Sequence, residues 1–179
     1  MNISTQSGLI FQPIQLSDAH YFFEELSGID TFLSINAPTT LHEAEELVKG
    51  YLTEIQKGKE VRFIIKNTED RFVGCVGLYN IGTDDTEIQL WIAKNFQHKG
   101  YGFEIAKTFL AWAQKNIEFT TIYAAFDKDN SASQQLAKKL GGHPGLLDPK
   151  PVFQPESGKT LQIIWYEFYK DKDLDLSSK

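Results

Sequence analysis

Hydrophobic residues recur along this chain with two different periods, and the places where the period changes divide it into elements. Leu9, Ile10, Phe11 and Ile14 form an apolar run interrupted by Pro13, a short strand, and Ser17-Asp18 follow as the cap of a short helix over Ala19 to Leu26. Thr40 and Glu43 have capping-box spacing, and Leu41, Ala44, Leu47, Val48, Leu52 and Ile55 recur at helical intervals, which predicts a second helix ending near Gly58. Val61 to Lys66 and Phe72 to Asn80 read as strands on either side of the turn Asn67-Thr68-Glu69-Asp70, and Gly74 and Gly77 inside the second strand point to a bulge. Thr86 to Ala93 alternates, with Ile88, Leu90 and Ile92 on one face and Glu87, Gln89 and Trp91 on the other. Gly102 to Lys115 carries Ile105, Ala106, Phe109, Leu110 and Ala113 on one stripe of a helix. Phe119 to Phe126 is a β-branched and aromatic strand, and Ser131 to Leu140 is a helix closed by Gly141-Gly142. A proline-rich stretch from Gly145 to Gly158, with room for one more short strand around Val152, leads to the apolar strand Leu161 to Tyr169. The order is βααβββαβαβ, without an internal repeat, and the charged tail from Lys170 to Lys179 is expected to fray.

Composition narrows the class. The 179 residues are 41% hydrophobic and 13% aromatic, enough for one domain that buries roughly 70% of its unfolded surface. The single cysteine, Cys75, excludes an intramolecular disulfide and a thiolate zinc cluster, so stability rests on packing and a reducing cytoplasm is the expected compartment. Cys75 reads as a buried strand residue, and the four histidines lack metal-ligand spacing, so no metal is expected. Neither a leader nor an apolar run of about 18 residues is present, so no membrane association is expected. A net charge of −6 argues against broad nucleic-acid binding.

One segment departs from that acidity. Lys94 to Lys99 holds two lysines and a histidine with no acid, and it opens Gln97-His98-Lys99-Gly100-Tyr101-Gly102, between a predicted strand and a predicted helix. Two glycines let the backbone turn sharply and approach a ligand, and the first free N–H groups of the helix carry roughly half a unit of positive charge, an arrangement suited to phosphate. The same glycines also serve a simple strand-to-helix turn. Ile105 stands where a dinucleotide fingerprint needs its third glycine, and no G-x-x-x-x-G-K-[ST] run occurs, which disfavours a nicotinamide enzyme and an NTPase.

Downstream, Asn130-Ser131-Ala132-Ser133 and Leu136 to Gly141 complete a pattern of alternating strand, Q-x-x-G-x-G loop, strand and N-x-x-S-x-x-L-x-x-x-x-G helix. It resembles the GNAT superfamily of acetyl-CoA-dependent N-acetyltransferases, and N-S-A-S is most similar to the ribosomal-protein N-acetyltransferase-like branch. The resemblance implies a single α/β (α+β) domain: a mixed, mostly antiparallel twisted sheet of about six to seven strands, splayed at the cofactor site and flanked by about four helices. It implies that Gln97, His98, Lys99, Gly100, Tyr101, Gly102 and Phe103 cradle the pyrophosphate of coenzyme A, chiefly through backbone amides. Leu90, Trp91 and Ile92 would pair through their main chain with the pantetheine arm, and Asn130 and Ser133 would lie close to it. Asn130 also suits a plain helix cap.

Acyl transfer to an amine needs a neutral nucleophile, a site for developing negative charge on oxygen and a proton for the thiolate. The resemblance makes Glu87 the base and Ser133 the group at the sulfur, with a backbone N–H near Trp91 or Ile92 facing the oxygen. Glu87 reads equally as a solvated strand-end charge and Ser133 as a first-turn capping residue. Trp91, Trp112 and Trp165 read as core. The chain departs from the family pattern at Gln97, where arginine is usual, and at Gly142, where phenylalanine is usual. The implied reaction moves an acetyl group from acetyl-CoA to a primary amine: a protein N-terminus, or a polyamine or aminoglycoside, cations that an acidic cleft attracts. A non-catalytic acyl-CoA-binding module would keep the loop and lose the turnover. A homodimer is compatible with the resemblance, and acceptor specificity is expected around Phe32 to Thr39 and in Gly145 to Gly158.

Overall fold

The computed structural model describes residues 3–26, 37–146, 148–154 and 158–170. Its strands are β1 (Ile3–Ser4), β2 (Ile10–Pro13), β3 (Val61–Lys66), β4 (Phe72–Tyr79), β5 (Glu87–Ile92), β6 (Thr121–Asp127), β7 (His143–Pro144), β8 (Lys150–Gln154) and β9 (Lys159–Tyr169). Its α-helices are α1 (Ala19–Leu26), α2 (Leu41–Gln56), α3 (Tyr101–Asn116) and α4 (Ser131–Lys139). The start of α2 shows how local chemistry sets these bounds. Thr40 caps it, its hydroxyl accepting from the Glu43 N–H at 3.1 Å, and the Glu43 carboxylate returns to the N–H and hydroxyl of Thr39 at 2.7 and 2.8 Å. The capping box is thus closed one residue earlier than the spacing predicts.

The nine strands form one open sheet in the order β1-β2-β3-β4-β5-β6-β9-β7, with β8 also on β9. Every pairing is antiparallel except that of β5 with β6. Six to seven strands were expected. The short strand with room around Val152 is present as β8, the seventh, and the additional ones are the two-residue pairings β1 and β7, which carry no periodicity. The bulge expected from Gly74 and Gly77 is confined to one spot: Ile65 pairs with Gly74 and Lys66 with Phe72, so Val73 has no opposite residue. Both glycines answer a different need, close approach of neighbouring backbones. A Cβ at Gly74 would lie 2.4 Å from the Trp91 carbonyl oxygen, and one at Gly77 would lie 2.5 Å from that of Val61.

Helices cover both faces. α1 and α2 pack on the face that carries Trp91 and Arg62: Phe22 meets Trp91 edge-on at 5.4 Å, and Tyr51 lies under the Arg62 guanidinium at 3.8 Å. α3 packs on the other face, where Phe63 meets Phe109 and Trp112, and α4 lies beside α3. The tail beyond Lys170 and the segment 27–36, which includes most of the expected specificity region Phe32 to Thr39, lie outside the described residues, as do 147 and 155–157 in the Gly145 to Gly158 loop.

Candidate active site

β5 and β6 are joined by a single register pair, Glu87 with Tyr123, beside which the Tyr123 N–H donates to Thr86 O at 2.9 Å. From Thr86 onward, the alternation of the strand turns the main-chain groups of Ile88, Leu90 and Ile92 toward β6. Past the Glu87 pair the two strands separate. Leu90 and Ile92 therefore present backbone to the gap, whereas the Trp91 carbonyl points at β4, against Gly74. The Trp91 indole is buried between Phe22 and Phe72, a core position as its sequence context predicts. A narrow cavity of about 110 Å³ fills the gap, walled by Ile88, Gln89 and Leu90, by Ala124 to Phe126 and by α4.

At the far end of β5 the chain passes through a 3₁₀ turn, Lys94–Phe96, into the glycine loop. The Gln97 side chain donates to Ile92 O at 2.9 Å, so it ties the loop to the strand and satisfies one carbonyl of the gap. His98 (φ 59°) and Gly100 (φ 83°) have left-handed backbones, which together reverse the chain within a few residues. Gly100 is the N-cap of α3 and has no side chain to bond the helix's first N–H groups, so those of Tyr101 and Gly102 stay open, while that of Phe103 donates to Gly100 O at 3.1 Å. A Cβ at Gly100 would meet nothing within 4 Å, which leaves space directly over them. His98 and Lys99 are exposed. Lys99 lies 5.2 Å from the Phe96 ring, and Lys139 of α4 sits 4.2 Å from the ring of Phe103. Lys139 thus joins the loop from a different helix, a placement that sequence spacing does not reveal.

α4 begins just beyond the far end of β6, away from the Glu87–Tyr123 pair. Asp127, buried at the end of β6, accepts from the N–H groups of Asp129 and Gln162, which fixes the turn that presents Asn130. Asn130 caps α4, its Oδ1 accepting from the Ser133 N–H at 3.1 Å, and both residues line the gap cavity. The Ser133 hydroxyl has no hydrogen-bond partner among the described residues. At the other end of α4, Gly142 stands where the family pattern has phenylalanine, and the ring of Phe168 from β9 takes the space: a Cβ at 142 would lie 2.8 Å from Phe168 Cζ. The apolar anchor is present but comes from another strand.

The opposite face of β5 carries the acid-base groups. Glu87 Oε2 accepts from the Tyr79 hydroxyl at 2.5 Å. Burial pushes the Glu87 carboxyl above the usual carboxylate range, against the lowering effect of that hydrogen bond, and burial together with Glu87 raises Tyr79. Two residues along, Gln89 Oε1 accepts from Arg62 Nη1 at 2.6 Å. Arg62 is buried and paired to Glu60, also buried, with Nε and Nη2 both 2.6 Å from Glu60 Oε1. A second cavity, of about 490 Å³, is lined by Tyr51, Glu54, Glu60, Arg62, Tyr79 and Gln89 among others. Tyr79 and Gln89 alone line both cavities. Cys75 lies beneath this layer, its thiol pushed up to about 11 by burial, too high to act as a nucleophile near neutral pH. Among the described residues no cluster of histidine, cysteine or carboxylate groups is placed to hold a metal ion, and no helix is long and apolar enough to cross a membrane.

Known proteins resemble this arrangement at two levels. A family model described as an acetyltransferase (GNAT) domain matches residues 8–143. Among solved structures, ribosomal-protein-S5-alanine acetyltransferase from Vibrio fischeri superposes with a TM-score of 0.81 at 15% identity, over 96% of this chain and 98% of that one. The ribosomal L7/L12 α-N-protein acetyltransferase RimL in complex with coenzyme A gives 0.79 at 17%, over 97% and 100%. Spermidine N-acetyltransferase from Vibrio cholerae in complex with coenzyme A and spermine gives 0.78 at 20%, over 93% and 98%. At these identities the likeness is one of fold. Among curated proteins none matches the sequence.

Proposed function

Because the chain belongs to the acetyltransferase (GNAT) domain family, we propose that it is an N-acetyltransferase that moves the acetyl group of acetyl-CoA to a primary amine. The separation of β5 from β6 beyond the Glu87–Tyr123 pair carries this reading. It leaves strand backbone at Leu90 and Ile92 without a partner from β6, only Ile92 O being taken, by the Gln97 side chain, as an amide-bearing pantetheine arm requires, and it runs toward the uncapped start of α3, where Gly100 leaves room for a diphosphate. Bound there, acetyl-CoA supplies an activated acyl group. Gln97 holds the loop to β5; the amides of Lys99 to Gly102 bind phosphate oxygens; Lys99 and Lys139 add positive charge. Asn130 and Ser133 hold the arm at the α4 end.

The amine enters from the second cavity. Glu87, which lines neither cavity but touches Tyr79, which lines both, takes one proton from the incoming ammonium through water and passes it to solvent. The Tyr79 hydroxyl steers its carboxylate. The amine nitrogen then bonds the acyl carbon as the C–S bond breaks, and the amine's second proton ends on the thiolate, beside Ser133. The lining carries Glu54 and Glu60 but also Lys59 and Arg62, with Glu60 paired to Arg62 and Glu54 to Lys57, so its charge does not choose among amines; the acceptor proposed is a protein N-terminal α-amine of the kind the ribosomal-protein branch acetylates.

The experiment is thiol release from acetyl-CoA in the presence of a peptide with a free N-terminus, spermidine and an aminoglycoside, with an Nα-acetylated peptide as control. Faster release with the free peptide than with the blocked one supports the reading. Preference for spermidine or the aminoglycoside moves the acceptor to small cations. Coenzyme A binding with no release under any amine identifies a binding module instead.

A further inference from the structure

Gln89, Gly77 and Arg62 form one row across three strands: Arg62 is opposite Gly77 in the β3–β4 register, and Gly77 is opposite Gln89 in the β4–β5 register. With no side chain at the middle position, Arg62 reaches over β4 to the Gln89 carbonyl oxygen at 2.6 Å. The guanidinium is itself held on three sides, by Glu60, by the Tyr51 ring at 3.8 Å and by Cys75 Sγ at 3.9 Å. A guanidinium only donates, so the Gln89 amide has one admissible orientation: Oε1 toward Arg62 and the NH₂ group away from it. That NH₂ has no acceptor among the described residues, and Gln89 lines both the gap cavity and the second cavity.

Acyl transfer places negative charge on the acyl oxygen while the nitrogen bonds carbon and the C–S bond breaks, and a fixed donor beside that oxygen lowers the barrier because it needs no reorientation at the moment of reaction. Resting on the acetyltransfer reading above, we propose that the Gln89 side-chain amide donates to the acyl oxygen during transfer, and that Arg62 and Glu60 are positioning residues that hold it there. This is a second donor to that oxygen, from a side chain, beside the backbone N–H groups of β5. The oxygen's extra electron pair returns to the carbonyl as the thiolate leaves, so Gln89 gains and loses no proton.

Gln89→Glu separates this role from mere support of Arg62. It keeps an oxygen for the guanidinium and replaces the donor by a second oxygen, whereas Gln89→Met removes both. With acetyl-CoA and whichever of spermidine or the free peptide turns over faster, both variants are expected to lose about 100- to 1,000-fold in kcat with the KM for acetyl-CoA within a few-fold, and the Glu variant to melt no lower than wild type. Arg62→Lys, which keeps the buried charge but not the fork, is expected to lower kcat in the wild-type background and not in Gln89→Met, a non-additivity that a purely structural role does not produce. Wild-type kcat in Gln89→Glu, or a loss confined to the KM for the amine, overturns the proposal while leaving acetyltransfer intact. A wild-type chain that binds coenzyme A and acetylates no amine overturns the acetyltransfer reading first, and this one with it.

Discussion

The buried pair Glu60–Arg62 gives the most demanding test of how the second cavity is built. Its side chains are 5% and 2% exposed, with two nitrogen–oxygen separations of 2.6 Å. Burial pushes the Glu60 carboxyl upward, and Arg62 only partly opposes it. Burial lowers the Arg62 guanidinium, but Cys75, Tyr51 and Glu60 outweigh it and hold the group above its ordinary value. Desolvation of the two charges is thus set against their attraction, and the pair is expected to add little net stability. Removing one partner strands the other charge, so Arg62→Met and Glu60→Leu should each cost about 3–5 kcal/mol, while the double variant, with apolar groups in both places, should be near wild type or above it. At about 2–4 °C per kcal/mol for a chain of this length, each single variant should melt about 6–20 °C lower. Because Glu60's folded pKa lies above its unfolded value, its contribution to stability is full below the ordinary carboxylate range and is lost as pH rises through the folded value. The double variant should gain on wild type over that window. Urea unfolding of the four proteins at several pH values measures all of this. Single variants that lose less than about 1 kcal/mol, as exposed pairs do, would refute the reasoning. The double variant should also lose acetyl transfer while it keeps its fold, since nothing then orients Gln89.

Four further outcomes are expected. In Glu87→Gln, kcat/KM should fall about 100- to 10,000-fold, and the ascending limb that midpoints above the usual carboxylate range should vanish from the pH profile. Tyr79→Phe, which removes the hydrogen bond that lowers Glu87, should move that limb to higher pH; an unchanged limb in either variant speaks against Glu87 as base. Ser133→Ala leaves the Asn130 cap intact, because the cap uses the Ser133 N–H, so its melting temperature should stay put. Its kcat should fall by only about tenfold, below the usual worth of a general acid, because a thiolate leaves without prior protonation. Gly100→Val forces a side chain into a left-handed N-cap at about 1–2 kcal/mol and fills the space above the helix N–H groups. Calorimetry should show coenzyme A binding lost or much weakened, and undiminished binding would remove this loop from the cofactor site.

Much of the framework was legible because local chemistry sets it. β3 runs over Val61–Lys66 as its apolar run predicts, α4 starts at its Asn130 cap, and the two faces of β5 follow from simple alternation. The short edge strands β1 and β7 were not legible, since two residues cannot show a period and pairing alone defines them. For the site, the division was similar. The loop and the Asn130–Ser133 turn lie on contiguous residues with a readable pattern. The acceptor side does not: Arg62 sits at the start of the apolar run Phe63-Ile64-Ile65, where a charge looks like an error of burial, and apart from Glu60 two residues before it its partners come from β4, β5 and α2. Lys139 meets Phe103 only because α4 folds back against α3.

That asymmetry has a physical origin in how the two halves of the site are assembled. The proposed cofactor side rests mainly on backbone, so the sequence must supply glycines, a strand break and a helix start in a fixed order, and order is what a sequence displays. An acceptor cavity is made of side chains that meet across strands, and the sheet register decides which ones meet. Here the register places a glycine between an arginine and a glutamine, and that absence of a side chain lets the two touch. A Cβ at Gly77 would strike the Val61 carbonyl at 2.5 Å, so packing of the backbone and reach of the arginine demand the same residue. The row then joins the two cavities: Arg62, which lines the second, fixes the amide of Gln89, which lines both. If that coupling operates, substitutions at Glu60 or Arg62 should change kcat before they change the KM for acetyl-CoA, although neither residue lines the cofactor cavity.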